Sequence, residues 1–234
     1  MTTFAAVLRS AGVLLLLSGL ALAQDAMAIL KSVGETYSAL KSYEFQGATT
    51  AVTTTGKNAS TTEETFTVVF SAPDQFLVEF RYPGQGNWTR ASNGKTTTEI
   101  RTATKEFVQQ PTKDFDIRIL DNSPIGPFYS MDTGNKTASV EGSENLTVDG
   151  QGVDCWVVQT DREMGMLPEG VKRLPTKLWI DKARFLVLRQ VSGTESVATG
   201  NKATKNTRTM NITHAQLGQA IAPDVFEPRS PKKK

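Results

Sequence analysis

Hydrophobic positions recur at two different periods along this chain. Over residues 25–42, Ala26, Ile29, Leu30, Val33, Tyr37 and Leu40 fall three or four apart, which places one apolar stripe along a helix. Asp25 is placed to cap the start of that helix, and Lys41 suits its C-terminal end. From residue 43 the period becomes two. Residues 43–55, 61–71, 75–82, 87–92, 95–102 and 105–110 read as strands. In 75–82, Phe76, Val78, Phe80 and Tyr82 share one face, while Gln75, Glu79 and Arg81 share the other. Phe66, Val68 and Phe70 alternate in the same way on the preceding strand. Turn residues separate the runs: Gly56-Lys57-Asn58, Pro73-Asp74, Pro83-Gly84-Gln85-Gly86 and Asn93-Gly94. The last is the strongest signal, because both residues tolerate the positive φ of a type I′ hairpin.

The alternation stops at Pro111. Residues 112–135 hold Pro124 and Pro127 together with Phe115, Ile117, Ile119, Leu120, Ile125, Phe128, Tyr129 and Met131. Residues 114–120 fit a short helix or a strand, and 124–127 an irregular piece or a helix start. A long apolar connection in a sheet protein caps the core or lids a site. Strands resume at 137–148, the Asp149-Gly150 turn and 153–160, then 174–180, 185–192 and 204–217. Hairpin following hairpin means antiparallel pairing without βαβ crossovers. The fold class expected is therefore mainly β with helices (α+β), with about ten strands around the N-terminal helix.

One hairpin is more specific than the rest. Its spelling, Leu178-Trp179-Ile180-Asp181-Lys182-Ala183 and then Phe185, Val187, Leu188 and Arg189, resembles the late hairpin of the outer-membrane lipoprotein carrier (LolA/LolB-like) superfamily. The wider relatives of that superfamily include mycobacterial lipid-binding lipoproteins and the stress sensor RseB/MucB. The ending, with Asp224, Phe226 and Pro231, is similar to the Asp-x-Phe-x-x-x-x-Pro finish of the family. The resemblance implies an incomplete antiparallel β-barrel, a half-barrel wrapped around the N-terminal helix and a helical lid, with an apolar cavity for lipid or acyl chains. It assigns residues 112–135 to the lid. It also implies an arginine inside the barrel that holds the lid closed. Arg81 and Arg101 lie on expected strands, and neither can be matched to that position.

The first residues have the layout of an export signal. Arg9 precedes the apolar run 13–22, and Ala21-Leu22-Ala23 forms a small-x-small cleavage site before Gln24. Such a run, about ten residues, is shorter than the ~20 needed to span a bilayer. The expected organisation is a signal peptide at 1–23, a single half-barrel domain at 24–230 and a solvated basic tail at 231–234, in a periplasmic protein. The lone cysteine, Cys155, has no partner for an internal disulfide and reads as a small buried hydrophobe on its strand.

Charge and chemistry narrow the function. The formal net charge is +2 with both signs interspersed, unlike the concentrated basic face of a nucleic-acid protein. His214 is the one histidine, so no Ser-His-Asp set or zinc site of motif type assembles around it. Gly84-Gln85-Gly86 lacks the third glycine and following helix of a phosphate loop. Glu63 and Glu64, adjacent on a strand, face opposite sides. These features argue against an enzyme and call for no cofactor.

An exported lipid- or acyl-chain-binding protein is the expectation. Each methylene withdrawn from water is worth about 0.8 kcal/mol, so an acyl chain crossing an aqueous compartment needs an apolar cavity. Phe66, Val68, Phe70, Phe76, Val78, Phe80 and Tyr82 are the candidate wall, and Ile119, Ile125, Phe128 and Met131 the candidate lid. The same residues equally suit an ordinary core. Lipid or lipoprotein acyl chains are the expected partners of a monomer. The alternative is an envelope sensor of the RseB type that binds the periplasmic segment of a membrane protein.

Overall fold

The computed structural model describes residues 25–112, 120, 123–161, 167–196 and 203–228. The signal-peptide residues 1–23, lid candidate Ile119 and the basic tail lie outside the described residues. Helix α1 (Ala26–Ala39) starts where its spacing places it, and the Asp25 side chain accepts a hydrogen bond from the Met27 N–H at 2.9 Å. It ends earlier than expected, because Leu40 turns extended and leaves Lys41 beyond the last turn. Ile29, Leu30, Val33 and Tyr37 form its buried face.

Eleven strands follow among the described residues: β1 (Ser42–Thr55), β2 (Asn58–Ser71), β3 (Gln75–Tyr82), β4 (Gly86–Asn93), β5 (Thr96–Arg101), β6 (Glu106–Pro111), β7 (Ala138–Val148), β8 (Gln151–Thr160), β9 (Val171–Asp181), β10 (Val187–Ser196) and β11 (Thr204–Leu217). They form one antiparallel sheet in the order β6-β5-β4-β3-β2-β1-β11-β10-β9-β8-β7. The two meanders meet where β11 pairs with β1 along nearly its whole length. Among the described residues β6 and β7 are free edges, so the sheet is not closed into a barrel. Strands β2 and β9 begin earlier than their apolar periodicity suggests, because Asn58–Ser60 ladder onto β1 and Val171–Arg173 onto β10 through mostly polar residues.

Two turns differ from expectation. At Asn93-Gly94 only Gly94 takes a positive φ, 87°, and the Asn93 side chain instead accepts from the Lys95 and Thr96 N–H groups. Paired positive φ values occur at Asp149 (54°) and Gly150 (73°). Phe185 is not on a strand: it occupies the β9–β10 turn at φ 55° and packs its ring 5.5 Å from Trp156. That turn is organised by Asp181, 2 % exposed, which accepts from the Ala183 and Arg184 N–H groups and pairs with the Arg184 guanidinium.

One face of the sheet shares a core with α1. Tyr43, Phe45, Phe66, Val68, Phe70, Phe76, Val78 and Phe80 are buried in a single cluster with the apolar face of the helix. Leu120, Ile125, Phe128 and Met131 belong to the same cluster. A second, smaller core covers the other face of β2–β4: Val69, Leu77 and Ala91 pack with Phe226. Phe226 ends the 3-10 turn Pro223–Phe226, and Asn93 donates to Glu227 just beyond it at 3.0 Å. β3 is thus buried on both faces, and Leu77 breaks the simple apolar–polar alternation read over 75–82.

Candidate functional site

Residues directly opposite one another in a ladder project from the same face, so register maps the helix-covered, inner face. Phe66 stands opposite Phe80, Val68 opposite Val78 and Phe70 opposite Phe76. Moving along the strands, the next row runs Glu64–Thr49–Met210–Gln190–Leu178 across five strands. Beyond it lies the row Thr62–Ala51–Arg208–Ser192. The inner face therefore has an aromatic end and a polar end.

The aromatic end is closed. The wall candidates Phe66, Val68, Phe70, Phe76, Val78 and Phe80 are all at most 7 % exposed. Ile125 and Phe128 are fully buried and Met131 nearly so. Phe128 sits in the 3-10 helix Gly126–Ser130, which carries Pro127 in its first turn and packs on α1. Its ring lies 5.3 Å from that of Tyr37. Next to it the hydroxyls of Tyr43 and Tyr129 share a hydrogen bond of 2.6 Å. Burial pushes the Tyr129 phenol up to about 12 and raises Tyr43 as well. The buried Tyr37 hydroxyl faces the Val187 backbone without a hydrogen bond of normal geometry. Gly34 permits the close approach of this segment, since a Cβ there would stand 3.3 Å from the Asp132 carboxylate and 3.5 Å from the Met131 nitrogen.

The polar end is open and holds two hollows. One, about 190 Å³, lies beside Pro127, Met131 and Leu178 and reaches Arg173, Asn206 and Arg208. The other, about 410 Å³, is lined by Thr49, Glu64, Tyr82, Gln85, Asn206 and Arg208. Asn206 and Arg208 belong to both. Arg208 pairs with Glu64 at 2.5 Å, with the arginine half-exposed and the glutamate 16 % exposed. The Thr49 hydroxyl is buried and has no hydrogen-bond partner. Tyr82, the seventh wall candidate, is 36 % exposed and stacks on Phe80 at 6.2 Å. Burial and the Glu64 carboxylate raise its phenol while Arg208 lowers it, so its hydroxyl feels both charges.

The structure thus gathers six wall candidates and three lid candidates into one closed cluster and leaves Tyr82 at the open end. The arginines singled out from the sequence stand elsewhere: Arg81 pairs with Glu79, and the exposed Arg101 with Glu99 and Glu106. Arg208 and Glu64 went unnoticed as a site. A signal existed, because Arg208 lies in phase with Met210 and Ile212 on a strand whose alternate residues face the core. His214 has a positioning role: its Nδ1 meets the Asp149 carboxylate at 2.6 Å and ties the β7–β8 turn to β11. Among the described residues no group of acidic, histidine and cysteine side chains is arranged to hold a metal, and no helix is long and apolar enough to cross a membrane.

Neither a protein family nor a curated protein sequence matches this chain. Its fold is similar to several solved structures. An uncharacterised conserved protein of Thermus thermophilus aligns over 88 % of this chain and 94 % of its own, at 17 % identity and a TM-score of 0.43. A chain of the Pseudomonas aeruginosa MucA/MucB complex aligns over 87 % of this one at 13 % identity and a TM-score of 0.44, and this chain spans 61 % of its length. A LolA superfamily protein of Nitrosomonas europaea aligns over 86 % of this chain and 97 % of its own, at 11 % identity and a TM-score of 0.35.

Proposed function

We propose that this is an exported lipid- or acyl-chain-binding protein that seats its ligand on the inner face of the sheet. One observation carries the reading: two neighbouring hollows share Asn206 and Arg208 in their linings, and Pro127, Met131 and Leu178 form the apolar part of the smaller one among polar residues. That arrangement matches an amphiphile, with its chain toward the apolar side and its head toward Arg208. At about 410 Å³ the larger hollow has the scale of a small-molecule site, ~300–1,000 Å³, and the smaller, at about 190 Å³, falls below it.

In this reading Ile125, Phe128 and Met131 belong to a cover over the aromatic end, latched by the Tyr43–Tyr129 hydrogen bond. The face of Phe66, Val68, Phe70, Phe76, Val78 and Phe80 becomes a wall for a longer chain when that cover shifts. Lipid or lipoprotein acyl chains are the partners, and the periplasm is the compartment.

Two measurements test this. Mass spectrometry of organic extracts from gently purified protein should find a bound lipid. The delipidated protein, with its fold checked by circular dichroism, should take up a fluorescent fatty acid. A folded protein that takes up no apolar probe sinks the proposal, and the interaction module for a membrane protein's periplasmic segment then takes its place.

A further inference from the structure

The open end carries more information than an apolar cleft needs. In its larger hollow Arg208 and Glu64 are bonded to each other, the neighbouring Glu63 alternates to the opposite face of its strand, and Tyr82 senses both members of the pair, while Arg173 lines the smaller hollow. The Thr49 hydroxyl, opposite Glu64 in the ladder, lines the same hollow, buried and without a partner. We propose that this hollow selects a zwitterionic phospholipid headgroup, with the phosphate on Arg208 and the ammonium on Glu64 against the ring of Tyr82. The inference rests on the lipid-binding reading and specifies the head that its ligand bears.

Charge balance selects the head. A guanidinium presents a planar fork of donors that fits phosphate oxygens in pairs. A carboxylate beside an aromatic ring is a suitable seat for an ammonium. When the Arg208–Glu64 pair opens to admit a zwitterion, each charge exchanges one partner for another and neither is left alone. A purely anionic head would satisfy Arg208 but bring its charge beside a Glu64 carboxylate that is mostly shielded from water. A purely cationic head would strand Arg208 in the same way. An uncharged head offers nothing that compensates for opening the pair. Asn206 and Gln85 line the same hollow and supply neutral hydrogen-bonding groups, and the orphan hydroxyl of Thr49 gains a partner once a polar head is seated.

The test uses the mature chain and vesicles containing one of three lipids with identical acyl chains: phosphatidylethanolamine, phosphatidylglycerol or diacylglycerol. Lipid retained per protein is measured after gel filtration. Phosphatidylethanolamine should be retained about tenfold over each of the others, the size expected when a charge pair is matched rather than broken. Glu64→Gln should bring that preference over phosphatidylglycerol down to about twofold or less, with melting curves to verify folding. Tyr82→Leu is the second variant and should reduce the preference about threefold. Soluble glycerophosphoethanolamine, the same head without chains, should compete weakly; full competition would overturn the assignment to a lipid. Equal retention of the three lipids, or an unchanged preference in both variants, overturns the headgroup inference and leaves the lipid-binding reading standing. Retention of no lipid and no fatty acid overturns both.

Discussion

The two ends of the sheet's inner face are made from the same strands and are opposite in character. On β1, Tyr43 and Phe45 are sealed in the core, whereas Thr49 and Ala51 line a hollow. On β2, Phe66 and Val68 are followed outward by Glu64 and Thr62, and on β11, Ile212 and Met210 by Arg208 and Asn206. Length explains the division. Strands β1, β2 and β11 each have 14 residues and α1 has 14, yet a strand of that length reaches about 46 Å and a helix about 21 Å. One helix plus a 3-10 turn can cover only part of such a face, and composition changes where the cover stops. The contrast teaches that the open hollows arise here from a mismatch in reach between two elements.

Substitutions at the closed end should break the contrast by opening it. Phe128→Ala removes a fully buried ring and should lower stability by about 3–5 kcal/mol, read from urea denaturation. A loss under about 1 kcal/mol would mean that the cover is only loosely seated. Gly47→Ala tests the border between the two ends. Its Cβ would fall 2.1 Å from the Asn211 carbonyl oxygen and 2.5 Å from the Phe66 ring, so a loss of about 1–3 kcal/mol is expected in the same assay.

Tyr129→Phe should cost about 1 kcal/mol by removing the bond to Tyr43, and it also alters the alkaline limb of stability. Burial raises both phenols above their ordinary value of 10.0, Tyr129 to about 12. The folded state therefore retains protons that the unfolded chain releases. This contribution is full below pH 10 and is lost as pH rises through about 12. Urea midpoints at pH 7.5 and 11 should show that loss, and Tyr129→Phe should lessen it. At the open end Arg208→Gln should change stability least, by under about 1 kcal/mol, because the pair is partly solvated. Its effect belongs to lipid retention, which should fall while the melting temperature stays nearly constant.

Much of the scaffold was legible in the sequence because it depends on neighbours in the chain. Spacing placed α1, and turn chemistry with alternation placed β3 and β11 at their observed bounds. The departures come from long-range contacts. Leu77 breaks the alternation of its strand because its partner Phe226 arrives from the far end of the chain. Glu64 and Arg208 lie 144 residues apart, and only the β1–β11 pairing brings their strands to either side of β1. Periodicity identified the aromatic face but could not tell whether helix side chains fill it. In this structure Ile29, Leu30, Val33 and Phe128 belong to the same closed cluster. Asn93 failed as a type I′ residue because its side chain found two backbone donors instead.

The lone cysteine gives this protein an experimental convenience. Cys155 is fully buried, and burial pushes its thiol up to about 11 from an ordinary 9.0. At neutral pH it presents about a hundredfold less thiolate than an unperturbed thiol, and it lies behind packed side chains. Maleimide chemistry should therefore pass over it and react with any thiol introduced at an exposed position. A single fluorophore attached near the mouth of the open end would then report ligand arrival and departure, with no need to remove a native residue first.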